Sequence, residues 1–312
     1  MNKSYIALCG GVGGSKLADG LARILPPDRL TIVVNTADDF DHLGLRICPD
    51  LDTVTYMLSD LAHPQRGWGR ADETWACMEV TKQLGGDSWF QLGDRDLALH
   101  LYRTQRIKEG ASLSAITSEI CRRFGVEHSL VPMCEEVVNT IIDTEIGELS
   151  FQDYFVRHQC AITAHRVRYE GLGRAKPSAA FEAALSSPQL AGIIIAPSNP
   201  ILSIGPIVGL AGVREAIAER RIPVAAVSPL IGGKAVKGPA DKLLAELGYE
   251  AGNGGLLAYY GGLIDGVIID SRDEVIGANP GNLTVSGDIL MKDAQDRIRV
   301  AQLCIDLLSR LT

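Results

Sequence analysis

Seven cysteines (Cys9, Cys48, Cys77, Cys121, Cys134, Cys160 and Cys304) occur without a single Cys-x-x-Cys pair. An odd number with no framework spacing excludes a disulfide scaffold and points to reduced thiols in a cytoplasmic protein. Long apolar runs are missing too. No stretch approaches the roughly 18 residues of a spanning helix, and the N-terminal run Tyr5–Cys9 is far too short. Excess basic charge is absent: 30 Lys and Arg stand against 38 Asp and Glu, a net charge of -8 with a pI near 5.3. That balance argues against a nucleic acid bound by bulk electrostatics, and no membrane partner is expected. Phosphates, if bound, must be met by local amides, cations or metal. Internal repeats, low-complexity tracts and a serine nucleophile elbow are also lacking, so covalent catalysis has no visible candidate. What remains is an ordinary globular composition, 312 residues with 46% hydrophobic and 22% charged, enough for one large domain or a core with an insertion.

The pattern along the chain predicts an α/β fold. Tyr5–Cys9 reads as a strand, Gly10–Gly14 as a turn, and Ser15–Leu25 as a helix stopped by Pro26-Pro27. Leu30–Asn35 reads as a second buried strand. Asp52–Leu61 looks helical, with Asp52 or Thr53 as N-cap. Residues 72 to 124 are helix-rich, and residues 126 to 169 change to short alternating segments. The runs Ala191–Ala196, Pro223–Val227 and Asp265–Ile269 then restore the α/β rhythm, which implies parallel pairing with right-handed crossovers. The expected architecture is a Rossmann-like, mostly parallel sheet with helices on both faces. Residues 1–60 and 175–312 would form the core, and 61–174 an inserted helix-rich and mixed subdomain.

Several constellations carry chemistry. Gly10-Gly11-Val12-Gly13-Gly14-Ser15-Lys16 sits between a strand and a helix, where backbone amides can meet a phosphate. It is neither a dinucleotide fingerprint, which needs glycine where Lys16 stands, nor a Walker A, which needs glycine where Ser15 stands. A tight turn is the plain alternative. Between Asn35 and Thr53 lie five acids, Asp38, Asp39, Asp41, Asp50 and Asp52. Clustered like charges raise one another's pKa unless a cation or donors hold them, and Mg²⁺ suits oxygen ligands. Helix caps, or the ribose-binding acid of a nicotinamide enzyme, are the alternatives. His42 falls inside this stretch and is a candidate catalytic group; the six histidines show no metal-ligand spacing. Trp89–Asp96 combines aromatics expected in the core with Gln91 and Arg95, which could reach a heteroaromatic ligand or a phosphate. Pro197-Ser198-Asn199-Pro200, Ser203–Pro206 and the loop from Ser228 to Pro239, with Lys234 and Lys237, all follow buried strands, where open α/β sheets bind ligands.

Taken in order, these motifs resemble one family, the 2-phospho-L-lactate transferases of coenzyme F420 biosynthesis. The likeness rests on Gly10–Leu17, Val34–Asp39, Pro49–Val54, Leu92–Asp96, Pro197–Pro200 with Ser203–Pro206, and Val227–Pro229 with Lys237–Ala240. It implies a reaction in which the ribityl hydroxyl of the deazaflavin Fo attacks a guanosine diphosphate-activated acid (lactyl, enolpyruvyl or phosphoglyceryl). GMP leaves and a phosphodiester forms. The resemblance also implies Mg²⁺ held by Asp39 and Asp50, which would be the catalytic acids. It puts Asp52 and Gln91 near the deazaflavin, and Gly11, Gly13, Gly14, Lys16, Ser198, Asn199 and Ser203 on the donor. A homodimer is implied as well. Gln91 stands where some relatives have lysine, and Val12 and Gly14 where threonines are common. The competing expectation is a related non-enzymatic regulatory protein that binds nucleotide-sugars on a similar core; a nicotinamide oxidoreductase comes third.

Overall fold

A computed structural model of the chain describes residues 3–274 and 282–311. β1 (Ser4–Cys9) leads into α1 (Gly11–Ile24), and β2 (Leu30–Val34) into a hairpin of β3 (Phe40–His42) and β4 (Leu45–Ile47), followed by α2 (Pro49–Leu58). Next come α3 (Ala76–Gln83), α4 (Asp94–Lys108) and α5 (Leu113–Arg123), then β5 (Ser129–Pro132). β6 (Asn139–Thr144), β7 (Gly147–Ser150) and β8 (Ala164–Glu170) form a small antiparallel sheet. β9 (Leu190–Ile195), β10 (Val224–Val227), the short pair β11 (Leu230–Ile231) and β12 (Lys234–Ala235), β13 (Gly266–Asp270) and β14 (Leu283–Gly287) precede the C-terminal helix Ala294–Leu311.

Seven strands make one sheet, in the order β14-β13-β10-β9-β1-β2-β5, and every pairing in it is parallel. The period of two along each strand fills both faces. Ile6, Leu8, Ile193 and Ile195 join one core, while Ala7, Cys9 and Ile194 join the other. Each fully buried aliphatic side chain contributes about 1.5–3 kcal/mol. The expected Rossmann-like α/β architecture is what forms. Strand order reverses between β1 and β9, so a crevice opens at their carboxyl ends, where ligands bind in such sheets.

Two boundaries differ from the sequence reading, for physical reasons. α1 begins at Gly11, inside the glycine run, rather than at Ser15. Glycine disfavours a helix by about 1 kcal/mol, but a Cβ at Gly13 would strike the Pro197 carbonyl. One at Gly14 would strike Ser198 Oγ and Cys9 Cβ. α2 begins at Pro49, with Cys48 as N-cap, so Asp50 and Asp52 are buried first-turn residues and not caps. Proline pre-sets φ for the first helical position. Within the segment 61–174, β5 pairs with β2 as an edge strand of the central sheet.

Candidate active site

The acids are brought together by a short turn and a hairpin. β2 ends at Val34, and the chain turns so that the Asp39 amide donates to the Thr36 carbonyl at 3.3 Å. Leu43 and Gly44, both with positive φ (51° and 73°), reverse the chain between β3 and β4, as tight hairpin turns require. α2 then starts beside α1. Asp50 Oδ1 accepts from the Gly11 amide at 2.7 Å, satisfying an α1 N-terminal donor from another helix. The Asn35 amide donates to Asp38 Oδ2 and to Asp50 Oδ2, both at 3.1 Å. Ser198 Oγ accepts from the Gly10 amide at 3.1 Å and lies 2.8 Å from the Gly10 carbonyl, to which it donates. Loops from β1, β2 and β9 are thereby stitched into one wall.

They enclose a cavity of ≈ 630 Å³. Of the site residues expected from the sequence, Gly11, Gly13, Asp50, Asp52, Gln91, Ser198, Asn199 and Ser203 all line it. Lys16 does not; its Nζ donates to the Met291 carbonyl at 2.6 Å beside an adjoining cavity of ≈ 100 Å³, which Gly13, Asn199 and Lys237 share. Gly14 lines neither cavity, being packed against Ser198 and Cys9.

Asp39, one of the two acids expected to hold a cation, is outside the cavity lining, and Asp38 stands there instead. The tight turn sends these consecutive side chains to different surroundings. Asp39 is buried toward the hairpin, where Arg46 Nη2 is 3.9 Å away and the Cys48 thiol also meets its carboxylate. His42 is also outside the lining. It sits in an aromatic box with Phe40, Trp89 and Phe90, and burial holds its pKa below the ordinary histidine value. Gln91 is exposed at the rim, donating to the Ser88 carbonyl at 2.6 Å.

Burial dominates the electrostatics. It pushes Asp50 up to about 6 against the opposing pull of its Asn35 and Gly11 donors. Asp38 is raised well above its usual range by burial, then by Asp50 and Asp39. Burial also takes Asp39 up to about 7, with Arg46 opposing. The Thr140 hydroxyl and the Asn35 amide oppose the rise at Asp38 without cancelling it.

A second cluster escaped the sequence reading. Asp96, His100 and Arg103 occupy one face of α4, and Arg103 forms a two-pronged ion pair with Asp52. Tyr56 donates to Asp96 Oδ1 at 2.5 Å. Tyr56, Asp96 and His100 line the cavity beside Asp52. The i, i+4, i+7 spacing was readable, but the partners on α2 were not. Asp52, Asp96 and His100 offer atoms close enough to share a metal ion, yet the Arg103 guanidinium already supplies the countercharge to Asp52. The opposite walls are apolar and aromatic, with Trp68, Trp89, Phe90, Phe151 and Phe155; Arg157 lies 4.5 Å over the Trp89 ring.

Fold and crevice together define a doubly wound α/β protein with a cavity at its topological switch point. The chain belongs to the family described as 2-phospho-L-lactate transferase CofD, whose profile matches residues 6–301, and it is thus a member of a transferase family. It is 43% identical over 276 residues to a phosphoenolpyruvate transferase from Kitasatospora aureofaciens, a match covering 86% of this chain and 85% of that one. A 2-phospho-L-lactate transferase from Methanosarcina mazei is 40% identical over 268 residues, covering 86% and 87%. One from Methanosarcina acetivorans is 37% identical over 305 residues, covering 97% and 98%. A crystal structure of a UPF0052 family member from Bacillus halodurans superposes with a TM-score of 0.67 at 16% identity, covering 98% of this chain and 99% of that one, a likeness of fold.

Proposed function

We propose that this protein transfers a phospho-acid group from a guanosine diphosphate-activated donor to the ribityl hydroxyl of the deazaflavin Fo, releasing GMP, in coenzyme F420 biosynthesis. The observation that carries the reading is the Asn35 amide holding Asp38 and Asp50 at 3.1 Å each, beside the N-terminus of α1 in a 630 Å³ cavity. Buried carboxylates pushed toward protonation fit a divalent cation such as Mg²⁺. Bound there, the cation would neutralise charge on the transferring phosphoryl group. Asp50 and Asp38 are our candidates to hold it, with Asp39 behind them.

The chain's own residues do the rest by positioning. Gly11 and Gly13 let the donor phosphates approach the α1 backbone, and Ser198, Asn199 and Ser203 border the same space. Lys16 and Lys237 lend positive charge where the two cavities meet. Trp89 and Phe90 give the deazaflavin ring an aromatic wall, with Gln91 at its edge. Seven free cysteines accord with a reducing cytoplasm, and the reading extends to a homodimer.

Incubation with Fo, Mg²⁺ and each of the lactyl, enolpyruvyl and phosphoglyceryl guanosine diphosphate donors tests it. GMP and a more acidic deazaflavin are expected, and competition among donors ranks the acids. No turnover with any of the three, alongside tight binding of a nucleotide-sugar, would replace the enzyme with a regulatory protein.

A further inference from the structure

The turn that carries Asp38 and Asp39 holds itself only lightly. Within it the Ala37 amide donates to Asn35 Oδ1 at 3.0 Å, and the Asp39 amide to the Thr36 carbonyl at 3.3 Å. The carbonyls on either side of the Asp38 Cα are met from outside the turn. The Thr140 amide, in β6, donates to the Ala37 carbonyl at 2.8 Å. Gln152 Nε2, just past β7, donates to the Asp38 carbonyl at 3.0 Å. The Thr140 hydroxyl also meets the Asp38 carboxylate. Both Thr140 and Gln152 are buried. Tyr169, paired with Thr140 across β6 and β8, donates to the Ile201 carbonyl at 2.6 Å, in the turn Pro200–Ile204 that carries Ser203. One face of the small sheet therefore grips both turns that border the cavity.

A residue has only two soft backbone dihedrals, and those of Asp38 join the two peptide planes whose carbonyls are gripped. Swinging its carboxylate out of the cavity would break both hydrogen bonds and leave buried carbonyls unpaired. We propose that the small sheet selects which of the two consecutive acids faces the cavity, with Thr140 and Gln152 as positioning residues that hold the Asp38 carboxylate at the cation site. Both act through Asp38. Without them the turn is free to rotate, and the cation loses one carboxylate for part of the time. The cation itself rests on the functional reading above, whereas the grip on the turn rests on geometry alone.

Mn²⁺ added alone to the metal-free, full-length protein, with the free ion followed by EPR, tests the assignment. Thr140→Val and Gln152→Met remove the side-chain bonds at nearly constant volume, and each is expected to weaken Mn²⁺ binding roughly tenfold. Thr140→Ser keeps the hydroxyl and should stay within about threefold of wild type. Arg168→Met separates positioning from stability, because Arg168 pairs with Asp143 and Glu148 on the opposite face of the same sheet. It should lower Tm and leave Mn²⁺ binding within about twofold of wild type. In hydrogen exchange of the metal-free protein, residues 36–39 should exchange faster in Gln152→Met, with β1 unchanged. Folded Thr140→Val and Gln152→Met that bind Mn²⁺ like wild type would overturn the inference and leave the functional reading intact. So would a loss in Arg168→Met as large as theirs, or unchanged exchange in Gln152→Met. If wild type itself takes up no Mn²⁺, the cation of the functional reading falls, and the roles of Thr140 and Gln152 fall with it.

Discussion

At the scale of single residues, the site stores its charge as protons. Asp50, up to about 6, and Asp39, up to about 7, are shifted chiefly by burial, and Asp38 moves the same way. In the unfolded chain these acids release protons near pH 4. Over the window from about 4 to 7 the folded state therefore binds more protons than the unfolded state, and stability must fall as pH rises through it. We expect the cation-free protein to melt several degrees higher at pH 5 than at pH 7.5, by scanning calorimetry. Asp50→Asn should flatten that slope, and at pH 7.5 without cation it should melt above wild type. It should also lower turnover at saturating Mg²⁺ by roughly 10–100-fold. Near-normal turnover in that variant would show that Asp50 is not a ligand. The gathering of acids was legible, because five of them fall within nineteen residues after a buried strand. Which of Asp38 and Asp39 enters the cavity was not, since adjacent positions differ only by the turn that separates them.

At the scale of elements, two contacts set the geometry. α1 can approach the Pro197-Ser198 loop only because Gly13 has no Cβ. Helix propensity alone favours Gly13→Ala by about 1 kcal/mol, whereas the clash with the Pro197 carbonyl displaces backbone. The clash should win, with a net loss of about 1–3 kcal/mol in urea denaturation; a more stable variant would refute the packing account. Between α2 and α4, Arg103 is 2% exposed and neutralises Asp52. Arg103→Met leaves a buried charge uncompensated and should cost about 3–5 kcal/mol, while the double variant with Asp52→Leu should recover much of that loss. The sequence suggested a phosphate loop here, and the structure adds that Gly13 and Gly14 answer first to close packing. The α1 start slipped because the Gly10 and Gly11 amides are met by Ser198 and Asp50, groups distant in sequence that local patterns do not report. The α2 start slipped because Pro49 opens the helix ahead of Asp50 and Asp52.

For the whole molecule, the cavity sits where loops from many elements converge, so ligands should stabilise the fold globally. Mg²⁺ with GMP at about 100 times Kd is expected to add roughly 2.7 kcal/mol, raising Tm, and a chelator should reverse the cation's share. Among the described residues no single helix is long and apolar enough to cross a membrane. The alternation of strands and helices made the parallel sheet legible. Its order was not, because β5 and β14 pair at the edges through contacts that no local pattern encodes. The α4 cluster stayed hidden for the same reason, since His100 and Arg103 meet Asp52 only where α4 comes against α2.

Placing the first strand in the middle of the sheet has a consequence for synthesis on the ribosome. β1 needs β9 as its neighbour, and the hydrogen bond from the Gly10 amide to Ser198 joins residues 188 positions apart. Until that distant segment emerges, β1 presents a bare apolar edge, and the nascent chain must be kept from aggregating. Such long-range closure makes for slow folding. The cavity wall is thus among the last parts to assemble, so a chain truncated before Ser198 can hold every clustered acid and still have no site.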